Sequence, residues 1–230
     1  MSRLRRMPRR RSYDQYCAAA RALDAVGDRW TLLIVRELLA GPRRYTDLHA
    51  DLPGVSTDVL ASRLKDMERD ELATRRRLPP PAAAYVYVLT ERGRRLLPVL
   101  AALAEWGAPA LDERLPTDAV RAHWFAVPLL RALSGPLDAA GVLDAAEGVV
   151  EVRLDEGVFH VRLGNGGAAP DDGRPVYGDG PAPRPDACLT LDADTCRALG
   201  AGALTVADGV RDGRIEVTGE GALAKALRGK

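Results

Sequence analysis

Apolar residues recur at helical spacing through the first hundred positions of the chain. Tyr16, Ala20, Leu23 and Gly27 predict a first helix over residues 16–26, and Trp30, Leu33, Ile34 and Leu38 mark one side of a second over residues 29–40. Asp28 stands where a carboxylate caps free N–H groups, and Gly41-Pro42 ends the helix. A third helix is expected over residues 45–52, a turn at Pro53-Gly54, and a fourth helix capped by Ser56. On the fourth, Leu60, Leu64 and Met67 face inward, which leaves Thr57, Ala61, Ser62, Lys65 and Arg69 outward. Two strands, 73–78 and 84–89, flank a proline turn. Helix, turn, helix and a two-stranded wing make a winged helix.

Beyond the wing, Thr90 caps a further helix carrying Leu96, Leu97, Val99, Leu100, Leu103 and Trp106, and Pro98 bends or restarts it. This stripe is wider than one small domain hides. It predicts a dimer surface shared with the first helix, or packing against the second half of the chain. Residues 118–133 read as an amphipathic helix with Val120, Trp124, Val127, Leu130 and Leu133. Strands over 149–154 and 158–163 predict a hairpin about Asp155-Glu156-Gly157. Short strands follow at 175–177, 187–191 and 215–218, with helices at 194–199, 205–210 and 221–227. The expected fold class is α+β: a mainly α winged helix with a two-stranded wing, then an α+β domain. The expected divisions are a basic arm at 1–12, a winged helix at 13–107, a linker at 108–117 and a second domain at 118–230.

Charge sharpens this division. The 230 residues carry a net charge of only +1, yet residues 1–114 hold 21 Lys+Arg against 15 Asp+Glu, and residues 115–230 hold 12 against 17. A basic front half and an acidic back half suggest that only the front meets a polyanion. Cys17, Cys188 and Cys196 have no paired spacing, so no disulfide framework or zinc site is indicated, and no cofactor is expected. The arginine-rich start is followed by Arg21 and Asp24, which an apolar signal core excludes. No apolar run approaches the ~20 residues of a membrane span. A cytoplasmic protein that binds no membrane is expected.

Reading duplex DNA needs cations for phosphates and side chains that reach base edges. Ser56, Thr57, Ser62, Arg63 and Lys65 on the fourth helix are the candidates, with Arg44 before the third helix and Arg75 and Arg77 on the wing. Strand alternation sends Arg76 to the opposite face from Arg75 and Arg77. Arg63 suits a bidentate guanine contact, worth about 1–3 kcal/mol of discrimination. Its competing role is an ion pair with Glu37, Asp66 or Asp70. His49, His123 and His160 form no partner pattern, Asp155-Glu156 and Asp171-Asp172 read as loop charges, and no phosphate loop or nucleophile elbow occurs. No enzyme is expected.

Residues 17–34, Gly41-Pro42-Arg43-Arg44-Tyr45-Thr46-Asp47-Leu48, Leu60-Ala61-Ser62-Arg63-Leu64-Lys65 and Tyr87-Val88-Leu89-Thr90-Glu91-Arg92-Gly93 resemble the HxlR-type winged-helix regulators over about residues 13–107. The resemblance implies a homodimeric transcription regulator on a pseudo-palindromic operator, its recognition helices about one turn, ~34 Å, apart. The wing turn departs from the family, reading Pro79-Pro80-Pro81-Ala82-Ala83-Ala84 without a basic residue; this shifts phosphate contact to Arg75, Arg77 and the arm. Cys17 matches a cysteine that some relatives use as a thiol sensor; the alternative is a small core residue.

The segments 187–195 and 208–219 resemble sterol-carrier-protein-2-like domains. In that family a strand, a helix, a short helix with a glycine turn, a strand and a last helix wall an apolar tunnel. The resemblance implies an apolar ligand near Trp124, Phe125, Phe159 and Leu204, residues that otherwise read as plain core. A small-molecule or lipid carrier, with the winged helix serving dimerisation, is the competing function.

Overall fold

The computed structural model describes residues 12–111, 114–139, 148–164 and 174–229. The expected arm lies almost wholly outside the described residues, as does the Asp171-Asp172 pair. The front half runs α1 (Ala18–Val26), α2 (Thr31–Leu39), α3 (Tyr45–Asp51), α4 (Thr57–Arg69), β1 (Ala73–Arg77), β2 (Tyr85–Leu89), α5 (Glu91–Arg94) and α6 (Leu97–Gly107). Strands β1 and β2 pair antiparallel, Arg75 opposite Tyr87 and Arg77 opposite Tyr85. Gly54 makes the turn before α4 at φ +84°, a left-handed conformation that side chains resist. Thr90 caps α5 by accepting from the Gly93 amide at 3.1 Å. Pro98 sits in the first turn of α6, where its missing N–H costs no helical bond.

In the back half come a short 3-10 turn (Ala122–Phe125) and α7 (Ala126–Ala139), then β3 (Gly148–Leu154), β4 (Gly157–Leu163), β5 (Tyr177–Asp179), β6 (Ala187–Thr190), α8 (Ala193–Gly200), α9 (Val206–Arg211), β7 (Glu216–Thr218) and α10 (Ala222–Leu227). The sheet order is β5-β4-β3-β6-β7, with only the β3–β6 pair parallel. Val150, Val152, Phe159, Val161 and Leu189 pack its interior, and α7 lies against β4, α8 and α10.

Several boundaries differ from those the sequence suggests. The helix expected from 118 starts at Ala126, after a 3-10 turn over Ala122–Phe125, and Pro128 falls in its first turn, where a proline is tolerated. The strand expected at 175–177 begins at Tyr177: Pro175 has no N–H, and the Val176 amide bonds to Leu39 O of α2 at 3.2 Å. Helix α8 begins at Ala193, one residue before the expected 194, and is capped by Asp192, which accepts from the Thr195 amide at 2.6 Å. Asp28 serves the Trp30 amide at 3.2 Å, and α2 begins at Thr31.

Buried residues of both halves form one continuous apolar cluster, from Val26 to Leu227. At the junction sits Glu37 of α2, fully buried. Its Oε2 lies 2.7 Å from His123 Nε2, and its Oε1 accepts from Trp124 Nε1 at 2.9 Å and Arg36 Nε at 2.8 Å. Burial pushes this carboxyl up, but the His123 hydrogen bond and the Arg36 and His123 charges outweigh it and hold the group below its ordinary value. Tyr177 adds a hydroxyl bond to Arg36 O, and Arg36 stacks over Trp124 at 4.2 Å. The apolar stripe of α6 divides. Leu96, Leu97, Leu100 and Ala101 join the core, while Val99, Leu103 and Trp106 stay exposed, as do Leu23 on α1 and Tyr16 before it.

Candidate nucleic-acid interface

Helix α4 is positioned from beneath. Leu60, Leu64 and Met67 are essentially inaccessible and key one side into the core. The Ser56 hydroxyl accepts from the Val59 amide at 3.4 Å, and Tyr45 of α3 donates its hydroxyl to Thr57 O at 2.7 Å, tying the two helices of the motif together. What remains uncovered is mostly polar: Ser56, Thr57, Ser62 and Lys65 are all exposed, with Val59 among them. The geometry suits entry into a groove, because short side chains near a helix start let the backbone approach base edges.

The charge on α4 itself is balanced. Asp58, Asp66 and Glu68 stand against Arg63, Lys65 and Arg69. Asp58 in the first turn also opposes a phosphate at the helix N-terminus. Attraction to phosphates therefore falls to flanking elements. Arg44 is exposed before α3, its amide bonded to Asp47 at 3.0 Å. Arg75 and Arg77 are exposed on β1 beside Tyr85 and Tyr87, and Arg75 stacks over the Tyr85 ring at 4.0 Å. Arg76 projects from the other face of β1, into a cavity with Leu38, Leu39, Arg94 and Pro175.

Arg63 is tied down within the monomer. Its Nη1 lies 3.2 Å from Asp28 and 3.0 Å from Asp66. Of the three acids expected to compete for it, Asp66 is the partner; Glu37 is engaged by His123, Trp124 and Arg36. Both pairs of Arg63 are partly exposed, so together they are worth about 0–2 kcal/mol, against about 1–3 kcal/mol for a guanine contact.

Cys17 is exposed at the N-cap of α1, and backbone N–H groups of Ala20 and Ala19 hold its thiol below the ordinary value. The four residues expected around an apolar ligand have other duties. Phe159 is wholly inside the sheet core, the Trp124 indole serves Glu37, and Phe125 and Leu204 pack on the core. None of them lines the cavity beside Arg76 or the cleft at the end of α2. Among the described residues no group of acids, histidines and cysteines is arranged to hold a metal, and no helix is long and apolar enough to cross a membrane.

The Glu37 junction was the feature that sequence reasoning passed over. Its signal was present: Glu37 falls three residues after Ile34 and four after Leu33, on the apolar side of α2, where a carboxylate requires buried donors.

The sequence model of the HxlR-like helix-turn-helix family matches residues 25–114. The uncharacterised HTH-type transcriptional regulator YvaP of Bacillus subtilis is 35% identical over 92 residues, 40% of this chain and 85% of that protein. The HTH-type transcriptional regulator YodB of the same organism is 35% identical over 85 residues, 37% of this chain and 76% of that protein. The solved structure of reduced YodB aligns with a TM-score of 0.38 at 31% identity, covering 45% of this chain and 100% of that one.

Proposed function

The chain belongs to the HxlR-like helix-turn-helix family of transcriptional regulators, and from that premise we propose that it acts in the cytoplasm as a homodimer reading a pseudo-palindromic operator through α4. The observation that carries this reading is the uncovered polar flank of α4, held by a buried apolar side and hydrogen-bonded to α3. Thr57 and Ser62 face base edges, Lys65 meets phosphate, and Arg44, Arg75 and Arg77 grip the flanking backbone. Arg63 joins by exchanging Asp28 and Asp66 for a guanine, an exchange the magnitudes above favour.

The dimer forms through the apolar residues that the monomer leaves in water, Leu23 on α1 with Val99, Leu103 and Trp106 on α6. A twofold pairing there presents two copies of α4 about one helical turn apart. Cys17 is exposed at the start of α1, the helix that carries Leu23, and its thiol is held below the ordinary value, which supports a thiol-sensing role. In the back half, the order β6, α8, α9, a glycine turn at Gly213, β7 and α10 supports the sterol-carrier-like reading.

Fluorescence anisotropy of the full chain tests the proposal, using duplex from upstream of its own coding sequence against random duplex. Preference for the upstream duplex is expected. Arg63→Ala should blur that preference, and equal loss on both duplexes would remove Arg63 from base reading. Weak, salt-sensitive binding to both by the unaltered chain would favour the carrier alternative.

A further inference from the structure

Where the end of α2 meets the back sheet, the chain forms an open cleft of about 440 Å³, within the size range of small-molecule sites. Among the described residues its charged lining is Arg43, Arg162, Arg174 and Arg184 with His160, and the carboxylate of Asp179; Arg162 also donates to Pro175 O at 3.4 Å. Ala40, Pro42, Val149, Pro175 and Tyr177 supply apolar wall. The Nε and Nη2 atoms of Arg43 are buried without a hydrogen-bond partner. These two nitrogens have lost water and gained no acceptor, a state that is relieved when the side chain turns toward an anion in the cleft. His160 is fixed beside them by Nδ1 against Gly180 O at 3.0 Å; a carbonyl only accepts, so this nitrogen carries the proton.

We propose that this cleft between the winged helix and the back sheet binds a small organic anion, a carboxylate or phosphate on a compact apolar body. Arg43 comes from the front half, Arg162 and Arg184 from the back, so the anion bridges the two. Arg43 also transmits occupancy: its backbone pairs with Tyr87 of the wing in both directions, at 3.1 and 2.8 Å, and its neighbour Arg44 opens α3. The site is distinct from the four residues expected around an apolar ligand, and it does not rest on DNA reading.

Isothermal titration of the full chain without DNA tests this, with benzoate and phenyl phosphate as probes and benzyl alcohol as their neutral counterpart. Saturable binding of at least one acid at one site per chain is expected, with no binding of the alcohol. Arg43→Gln should weaken it about tenfold, the loss of one charge-assisted bond. Arg184 is exposed, so Arg184→Gln serves where Arg43→Gln fails to fold, and it should weaken binding in the same direction. Arg95→Gln, a surface change away from the cleft, should bind as the unaltered chain does. Tighter binding of phenyl phosphate marks a phosphate ligand, and tighter binding of benzoate a carboxylate; both support the site. Failure of both acids to saturate, equal binding of the alcohol, or unaltered affinity in Arg184→Gln would overturn it.

Discussion

The outer flank of α4 and the Glu37 junction are both polar, but they sit on opposite sides of the energy balance. Ser62 and Lys65 are exposed and contribute little to the fold, so they remain available to another molecule. Glu37 and His123 are buried and Trp124 half-buried where the two halves meet, and both oxygens of Glu37 are engaged. Polar groups in water mark where a protein acts. Polar groups inside, paired with one another across distant elements, mark where it fixes one arrangement of its parts. Both regions involve the winged helix, so the part proposed to read DNA is also the part to which the back half is docked.

Glu37→Ala should produce the largest effect that separates the regions. It leaves His123 Nε2, the Trp124 indole and Arg36 without their acceptor, and removing one member of a buried pair costs about 3–5 kcal/mol. Urea unfolding checks this; Glu37→Gln, which keeps one acceptor oxygen, should lose less.

Acid should act on the junction in a definite direction. The Glu37 carboxyl is held below its ordinary value of 4.5, so its contribution is present above the unfolded value and is lost as pH falls through the lower folded value. Asp51, pushed up by burial and by the Glu37 charge, works the other way and is relieved by protonation. The urea midpoint should therefore fall on acidification through the carboxylate range in the unaltered chain and fall less in Glu37→Gln. Equal slopes would detach Glu37 from the acid response.

On α4, Ser56→Ala removes the cap on Val59 and should cost about 1 kcal/mol, read from the same midpoint. Lys65→Ala should change stability by no more than about 0.5 kcal/mol. It should instead weaken DNA binding on any sequence and reduce the salt slope by about 1. A Lys65→Ala chain that loses stability but keeps its salt slope would erase the contrast between the regions.

What the sequence made legible follows the same line. Leu60, Leu64 and Met67 repeat on one side of α4, so its inner and outer faces were readable from spacing alone, as were the caps at Ser56 and Thr90. Arg76 departs from Arg75 and Arg77 as strand alternation requires. Partners distant in the chain were not readable. Asp28 as the second acid on Arg63 depends on how α1 and α2 turn past α4, and His123 meets Glu37 across 86 positions. The cleft arginines likewise come from Arg43, Arg162, Arg174 and Arg184, four segments that no local periodicity connects.

DNA cleavage by an iron chelator attached to α4 tests the central claim most directly. Ser62→Cys would carry the chelator, in a chain with Cys17 and Cys188 changed to serine, and Glu216→Cys on β7 would be the control. Two groups of major-groove cuts about one helical turn, ~34 Å, apart are expected from the Ser62 position, and none from the control. Cuts equal from both positions, or none from either on DNA that the protein binds, would contradict the assignment of α4 as the reading helix.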